Sequence, residues 1–361
     1  MPKIKVATDF GGSSTKVIIE TEAGIEAFVM ASETIEVPKM MLQGYTLGSD
    51  SQVNPLHSVY VSCQGKYYAV GSLAAGRFDA FRGLKKPKVD QAAIKVLGAA
   101  WVYMANHQID QMEIDLVCCL PPGEVKQSSN FETALRKALT KFDTPSGIKA
   151  VTLDKYRCFP EGMGIFIKHA QERPEIVSQH QVATFILGFR NASLFSATGG
   201  RLDYFRSTDL GFTKIVKDII DLMGDYHEDS LIEAVSKYRI GGDEKFLEAI
   251  LRGNTPNDRR QELSTLKKTI EAVIERYLAL LTGWLDENLA ADVREILVCG
   301  GTVDTLNPEL LNWLRTKVPL RTDKPDRYGV FLHGGFNPPP EIAALGYGNR
   351  FADIYYLSQF Y

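Results

Sequence analysis

The sequence predicts a duplicated α/β protein of two lobes, and three observations carry that reading. The chain has 361 residues, more than one hydrophobic core usually serves. A strand–loop–strand–turn–strand meander opens the chain, and a second one, similar in pattern but not in residue identity, begins about 180 residues later. In each meander the first connection carries glycine: DFGGSSTK in one, LGFRNA in the other.

In KIKVATDF, Ile4, Val6 and Thr8 alternate with Lys3 and Lys5, the period of a half-buried strand. KVIIE and IEAFVMA, parted by a turn at Gly24, complete the first meander. Residues 37–88 break the scheme with Gly, Pro and Ser turns, the strand-like VYVSC and YYAVG, and the basic stretch RGLKKPK. They read as a small insertion on the first lobe. Helix signals over 90–107 precede the apolar strand IDLVCCLP, and a further helix is expected over about 131–142. The second meander runs through VATFIL, SLFSAT and LDYFR, with a tight turn at Gly199–Gly200 and a helix from about Phe212. The longest helix is expected over about 259–289. Its Leu263, Leu266, Ile270, Val273, Tyr277, Leu281 and Trp284 recur at three- and four-residue steps, a packing stripe. The strand EILVC ends at Gly300 and Gly301, after which Asn307 and Pro308 read as the cap and first position of another helix.

Composition narrows the function classes. A formal net charge of −3 supplies no global basic field to recruit nucleic acid directly. Hydrophobic residues at 45% and charged residues at 24% are ordinary for a soluble globular protein. The five cysteines form no CxxC pair. Cys118 and Cys119 are neighbours on one strand, so they point to opposite faces and read as reduced thiols in a core. MPKIKVATDF is neither a signal peptide nor a span, and no segment approaches the roughly 18 apolar residues that a span requires. The expectation is a cytoplasmic protein without membrane contact.

Four segments carry candidate chemistry. In DFGGSSTK, Gly11 and Gly12 allow a tight turn and close approach of backbone to an anion. Backbone N–H groups and the hydroxyls of Ser13, Ser14 and Thr15 can surround phosphate oxygens, and Lys16 adds positive charge. Asp9 can hold Mg²⁺ through water. In ILGFRNAS, Gly188 offers the close approach, and Arg190 and Asn191 can donate to phosphate oxygens. In ILVCGGTVD, the Gly300–Gly301 pair lets backbone pass close to a base or sugar. In CFPEGMG, Glu161 follows a proline and precedes two glycines, and its carboxylate can orient a water for attack on phosphate. Neither GxxxxGK[ST] nor GxGxxG occurs in the chain.

Together and in this order the segments resemble the actin-like branch of the actin, sugar-kinase and heat-shock-chaperone ATPases, most closely the ParM-like bacterial actins of plasmid segregation. DFGGSSTK resembles the first phosphate loop of that family. IDLVCCLPPGEV resembles the strand and loop after the insertion, and FPEGMG the first hinge, so Glu161 inherits a water-positioning role. STDLGF, with Gly211, resembles the turn and helix start beside the nucleotide. Gly300, Gly301 and Thr302 fall in a segment similar to the adenosine motif, and EIAALGYGNRF resembles the late helix that returns to the first lobe. The resemblance implies a ribonuclease-H-like sheet of five strands in each lobe and a nucleotide cleft between the lobes. Lobe one would comprise residues 1–165 with 338–361, and lobe two residues 166–337. One departure matters. The second phosphate loop of the family reads close to D-x-G-G-T, and here Ile186 stands at the aspartate's place.

The function that follows is an ATPase, with GTP as the other candidate nucleotide, whose slow hydrolysis is coupled to filament assembly. Its partners would be other copies of itself and a DNA-binding adaptor of ParR type. A chromosomal cell-shape filament is the alternative. A small-molecule kinase of the same fold would need a catalytic aspartate aimed at a hydroxyl, and no segment supplies one.

Overall fold

Alternating burial along KIKVATDF builds β1 (Lys3–Phe10), with Ile4, Val6 and Phe10 buried and Lys3 and Lys5 exposed. It pairs antiparallel with β2 (Ser14–Thr21), which pairs antiparallel with β3 (Gly24–Ala31). A separate three-stranded sheet follows, made of β4 (Thr34–Glu36), β5 (Tyr60–Cys63) and β6 (Lys66–Val70) in the order β4-β6-β5, with α1 (Ser72–Arg77) after it. Val37, Leu42, Tyr60, Ala69, Leu73 and Ala74 form its own small core. The insertion therefore begins at Thr34, because residues 34–36 pair with Tyr68–Val70. The computed structural model describes residues 1–45, 53–82 and 86–360; Gly83, Leu84 and Lys85 of the basic stretch lie outside them.

Next come α2 (Val89–Asn106), β7 (Gln111–Leu120), α3 (Ser128–Leu139), β8 (Phe142–Thr144), β9 (Gly147–Pro160) and α4 (Met163–Glu172). β7 lies parallel to β1 on one side and β9 on the other, and the main sheet has the order β3-β2-β1-β7-β9-β8. That is six strands where five are expected. Phe142, expected at the end of a helix, instead starts β8, a short antiparallel partner of β9 whose Phe142 and Thr144 are buried on either side of Asp143. Cys118 and Cys119 are both buried near the end of β7 and form no disulfide.

The chain then forms α5 (Pro174–Gln179), β10 (Gln181–Leu187), β11 (Ala192–Thr198), β12 (Arg201–Thr208), α6 (Phe212–Met223), α7 (Glu228–Gly241), α8 (Lys245–Glu248), α9 (Pro256–Asn288), β13 (Glu295–Cys299), α10 (Glu309–Arg315) and β14 (Val330–Leu332). These strands order as β12-β11-β10-β13-β14, with β13 parallel to β10 and β14. The first five strands of the other sheet repeat the same plan, an antiparallel meander and then two parallel strands. The duplication read from pattern is thus a duplication of topology. α9 starts at Pro256 because Thr255 and Asp258 form a reciprocal capping box and proline suits the first helical position. Its Leu266, Ile270, Val273, Tyr277 and Leu281 are buried as one stripe. Asn307 does not cap α10. A 3-10 turn over Asp304–Leu306 intervenes, burying Thr305 and Leu306, and Pro308 flanks the helix without a side-chain cap bond.

Only Pro340–Ala343 (α11) is α-helical within the expected late helix. Gly346 and Gly348 take positive φ there, which ends helical geometry. The helix that packs on β1, β2 and β7 is α12 (Ala352–Gln359), with Ile354 and Leu357 buried and Ser358 Oγ donating to Glu20 at 2.7 Å. The apolar segment DIYYLSQ, Asp353 to Gln359, is thus a packing element of this sheet. By contacts the chain divides into two compact units, Met1–Ile167 with Asn337–Tyr361, and Lys168–Phe336. No helix among the described residues is long and apolar enough to cross a membrane.

Candidate functional site

In the first unit, the β1–β2 register sets Asp9 opposite Lys16 and Phe10 opposite Thr15. Gly11, Gly12 and Ser13 make the turn. A Cβ on Gly11 would lie 2.5 Å from the Ser14 carbonyl oxygen, so only glycine fits. Ser32 Oγ donates to the Gly12 carbonyl at 3.0 Å and fixes the far side of the loop. The Lys16 ammonium pairs with the Asp9 carboxylate. Burial pushes Asp9 up, but Lys16 and Lys88 outweigh it and hold the carboxyl below its usual range. Ser14 Oγ and Thr15 Oγ1 are buried without a hydrogen-bond partner among the described residues. As neighbours on β2 they point to opposite faces, so only the Ser14 hydroxyl, on the face of Lys16, is placed for a bound oxyanion to relieve that cost. The loop backbone, the Ser14 hydroxyl and the Lys16 ammonium fit a phosphate, and the Thr15 side chain, expected among them, faces the other side of the sheet.

The hinge stands beside this loop. Asp9 is in register with Cys119 on β7, and Cys119 with Phe159 on β9. The Glu161 N–H donates to the Leu120 carbonyl at 3.0 Å, so Glu161 sits at the joined ends of β7 and β9. Its carboxylate pairs with the Lys88 ammonium at the start of α2. Burial lowers the Lys88 pKa, but Glu161 and Asp9 outweigh burial, raise it and keep the group cationic. Glu124 Oε2 accepts from the Val89 N–H at 2.9 Å and secures that helix start.

A second carboxylate secures the hinge itself. Asp353 on α12 accepts from the N–H groups of Gly162 at 2.7 Å, Gly164 at 2.8 Å and Ile165 at 3.3 Å. Gly164 has no room for a Cβ, which would overlap the Asp353 backbone. Burial pushes Asp353 up to about 7 against the pull of the Gly162 N–H, and the charge of Asp9 adds to the rise. Neither Lys88 nor Asp353 is marked by a motif. Lys88 closes the basic stretch just before an apolar helix, which is a weak signal. Asp353 meets the hinge across about 190 residues of chain, which leaves none.

In the second unit three predicted segments meet. The Gly188 carbonyl accepts from Thr302 Oγ1 at 3.0 Å and from the Phe212 N–H at 3.3 Å. The Thr302 N–H reaches the Leu187 carbonyl at 3.3 Å, and the Thr213 N–H the Phe189 carbonyl at 3.0 Å. Gly300 has φ 108° and its missing Cβ would fall on Leu187 backbone; that of Gly211 would fall on Arg190 backbone. Gly301 continues the turn. Arg190 Nε donates to Asn191 Oδ1 at 2.7 Å, so the two side chains support each other. Ile186, where the D-x-G-G-T pattern would place an aspartate, is buried in β10. No group of three or more His, Cys, Asp or Glu side chains among the described residues is placed to hold a metal ion. Magnesium held chiefly by phosphate oxygens and water needs no such cage.

Two units of repeated strand order, each ending in glycine loops at the strand ends, define the two-lobed actin-like fold. No protein-family model matches the chain, and no curated protein does. Solved structures do. A ParM from a 15-stranded filament of Clostridium botulinum superposes with a TM-score of 0.63 at 16% identity, covering 100% of this chain and 99% of that one. A Bacillus thuringiensis ParM with ATP gives 0.61 at 14%, covering 100% of both chains. An archaeal actin homologue, Ta0583, gives 0.56 at 14%, covering 99% and 98%. The shared property is the fold over the whole chain.

Proposed function

We propose that the chain is a nucleotide-dependent, filament-forming ATPase of ParM type. The observation that carries this reading is the cluster of Asp9–Lys16 and Glu161–Lys88 ion pairs at the joined ends of β1, β7 and β9, on a fold shared end to end with ParM structures. Backbone from Gly11 to Thr15, the hydroxyls of Ser13 and Ser14, and Lys16 would hold phosphate oxygens. Asp9 would hold Mg²⁺ through water, and the metal would neutralise charge on the phosphates. Glu161 orients the attacking water. From the second unit Gly188, Arg190 and Asn191 serve the phosphates, Gly211 starts the helix beside them, and Gly300, Gly301 and Thr302 take the nucleoside. With Ile186 unable to bind metal or water, turnover is slow.

Head-to-tail association of nucleotide-bound copies need not close, and so yields filaments; loss of the terminal phosphate weakens the contacts. In a plasmid-segregation role the filament would engage a ParR-type adaptor on DNA and work in the cytoplasm. Sedimentation with ATP, with GTP and without nucleotide tests the reading. Polymer should pellet with nucleotide only, and a protein that stays in the supernatant under all three conditions across a broad salt range overturns it. Gly11→Val should crowd the loop and lower nucleotide affinity by about 10-fold or more; calorimetry showing unchanged affinity would remove DFGGSSTK from the site.

A further inference from the structure

We propose that Lys88 is a phosphate-contacting residue. In the free protein it is held by Glu161; on nucleotide binding it exchanges that carboxylate for the terminal phosphate, and the exchange releases Glu161 to hold water. The inference rests on the nucleotide reading above.

Three observations converge on it. The first is position. Lys88 is 14% exposed and Glu161 17%, so the pair is neither a solvated surface contact nor a sealed one. It lies at the strand ends beside the first loop, close enough to Asp9 for the two charges to influence each other. The second is occupancy. The Lys88 ammonium takes Glu161 Oε1, so while the pair stands that oxygen is shared between the ammonium and any water it is to hold.

The third observation is a cluster of cations around the pair. Lys95 follows Lys88 by seven residues on the same face of α2. It is 4% exposed and makes no hydrogen bond among the described residues. Burial and the charge of Lys88 push it down to about 8, against the pull of Glu33 and Asp9. Glu33 already accepts from Arg82 at 3.3 Å. Lys16, Lys88 and Lys95, with Arg82, thus face Asp9, Glu161 and Glu33. With Glu124 at the start of α2 and Asp353 beside Asp9 the acids are at least as many, so the cluster offers an arriving phosphate exchangeable ammonium partners rather than a net positive charge. A terminal phosphate carries more negative charge than one carboxylate, so it outcompetes Glu161 for the mobile ammonium of Lys88.

In the hydrolytic step the water oxygen bonds to the terminal phosphorus as the bond to the bridging oxygen breaks. The electron pair of that bond leaves on the diphosphate. One water proton stays on the phosphate product, and the other passes to Glu161 and then to solvent. Lys88 stabilises the charge on the transferring group throughout.

The test measures ADP and AMPPNP affinity by calorimetry, and phosphate release, in the wild type, Lys88→Met, Lys88→Arg and the double variant Lys88→Met/Glu161→Gln. Lys88→Met should keep ADP affinity within about 2-fold and lose about 10-fold or more for AMPPNP, the scale of one charge-assisted hydrogen bond. Lys88→Arg should return much of the loss. The double variant leaves no unpaired carboxylate, so it keeps the test open if Lys88→Met fails to fold by circular dichroism; it too should lack the preference for AMPPNP. A wild-type AMPPNP-to-ADP ratio in Lys88→Met, or its recovery in the double variant, overturns the proposal and leaves Lys88 as a counter-charge for Glu161 alone. A wild-type protein that binds neither nucleotide overturns the ATPase reading instead.

Discussion

Glu161→Ala is expected to lower phosphate release by about 100-fold or more, the usual scale of positioning and acid–base effects. Nucleotide affinity should hold, because a carboxylate has the wrong sign to bind phosphate. The ion pair adds a further reason: losing Glu161 frees the Lys88 ammonium toward an incoming anion. In the second unit, Ile186 stands where the D-x-G-G-T pattern has its aspartate, and it is buried and apolar. No second carboxylate is then available from that loop to share the ordering of water. Polymer assembled from Glu161→Ala with ATP should outlast wild-type polymer, since loss of the terminal phosphate is the proposed trigger for disassembly. Phosphate release and polymer lifetime, measured side by side, decide the matter. Equal release rates in the two proteins would take Glu161 out of the mechanism.

The parts of the fold that the sequence shows are those whose one face meets solvent. β1 alternates because Lys3 and Lys5 are exposed while Ile4 and Val6 are buried, and α9 carries a stripe because its other faces are charged. β8 leaves no such trace, since three residues become a strand only by pairing with Lys149, Ile148 and Gly147. The glycine loops are legible for a related reason. Gly11, Gly211 and Gly300 each stand where backbone passes too close for a side chain, so the residue type itself records the contact. The counter-charges at the hinge are not legible. Glu161 is flagged by its neighbours in FPEGMG, but its partner Lys88 is 73 residues earlier, and only the fold brings them together. Asp353 is hidden further by its setting in an apolar helix, where a lone acid suggests solvent exposure rather than three buried backbone N–H donors.

That buried carboxylate makes stability depend on pH, and the sign follows from its position. Asp353 is raised from 3.8 to about 7 in the folded protein, by burial first and with help from the Asp9 charge. The folded state therefore holds the proton more tightly than the unfolded chain. Its contribution is fully present below about 4 and is lost as pH rises through 7. Over the whole window the shift is worth roughly 4 kcal/mol at most. Asp9 is held below its ordinary value by Lys16 and Lys88, and burial holds the Cys119 thiol well above its own, so neither neighbour titrates between pH 5 and 7. Asp353→Asn removes the titration and keeps one acceptor oxygen, but turns an amide toward the Gly162 N–H at a cost of about 1 kcal/mol. The variant should be less stable than wild type at pH 5, and the gap should close or reverse by pH 8. Urea unfolding of both proteins across that range is the measurement. Parallel stability curves, with the same slope in wild type and variant, would show that Asp353 is ionised throughout and that its three backbone donors hold it as an anion.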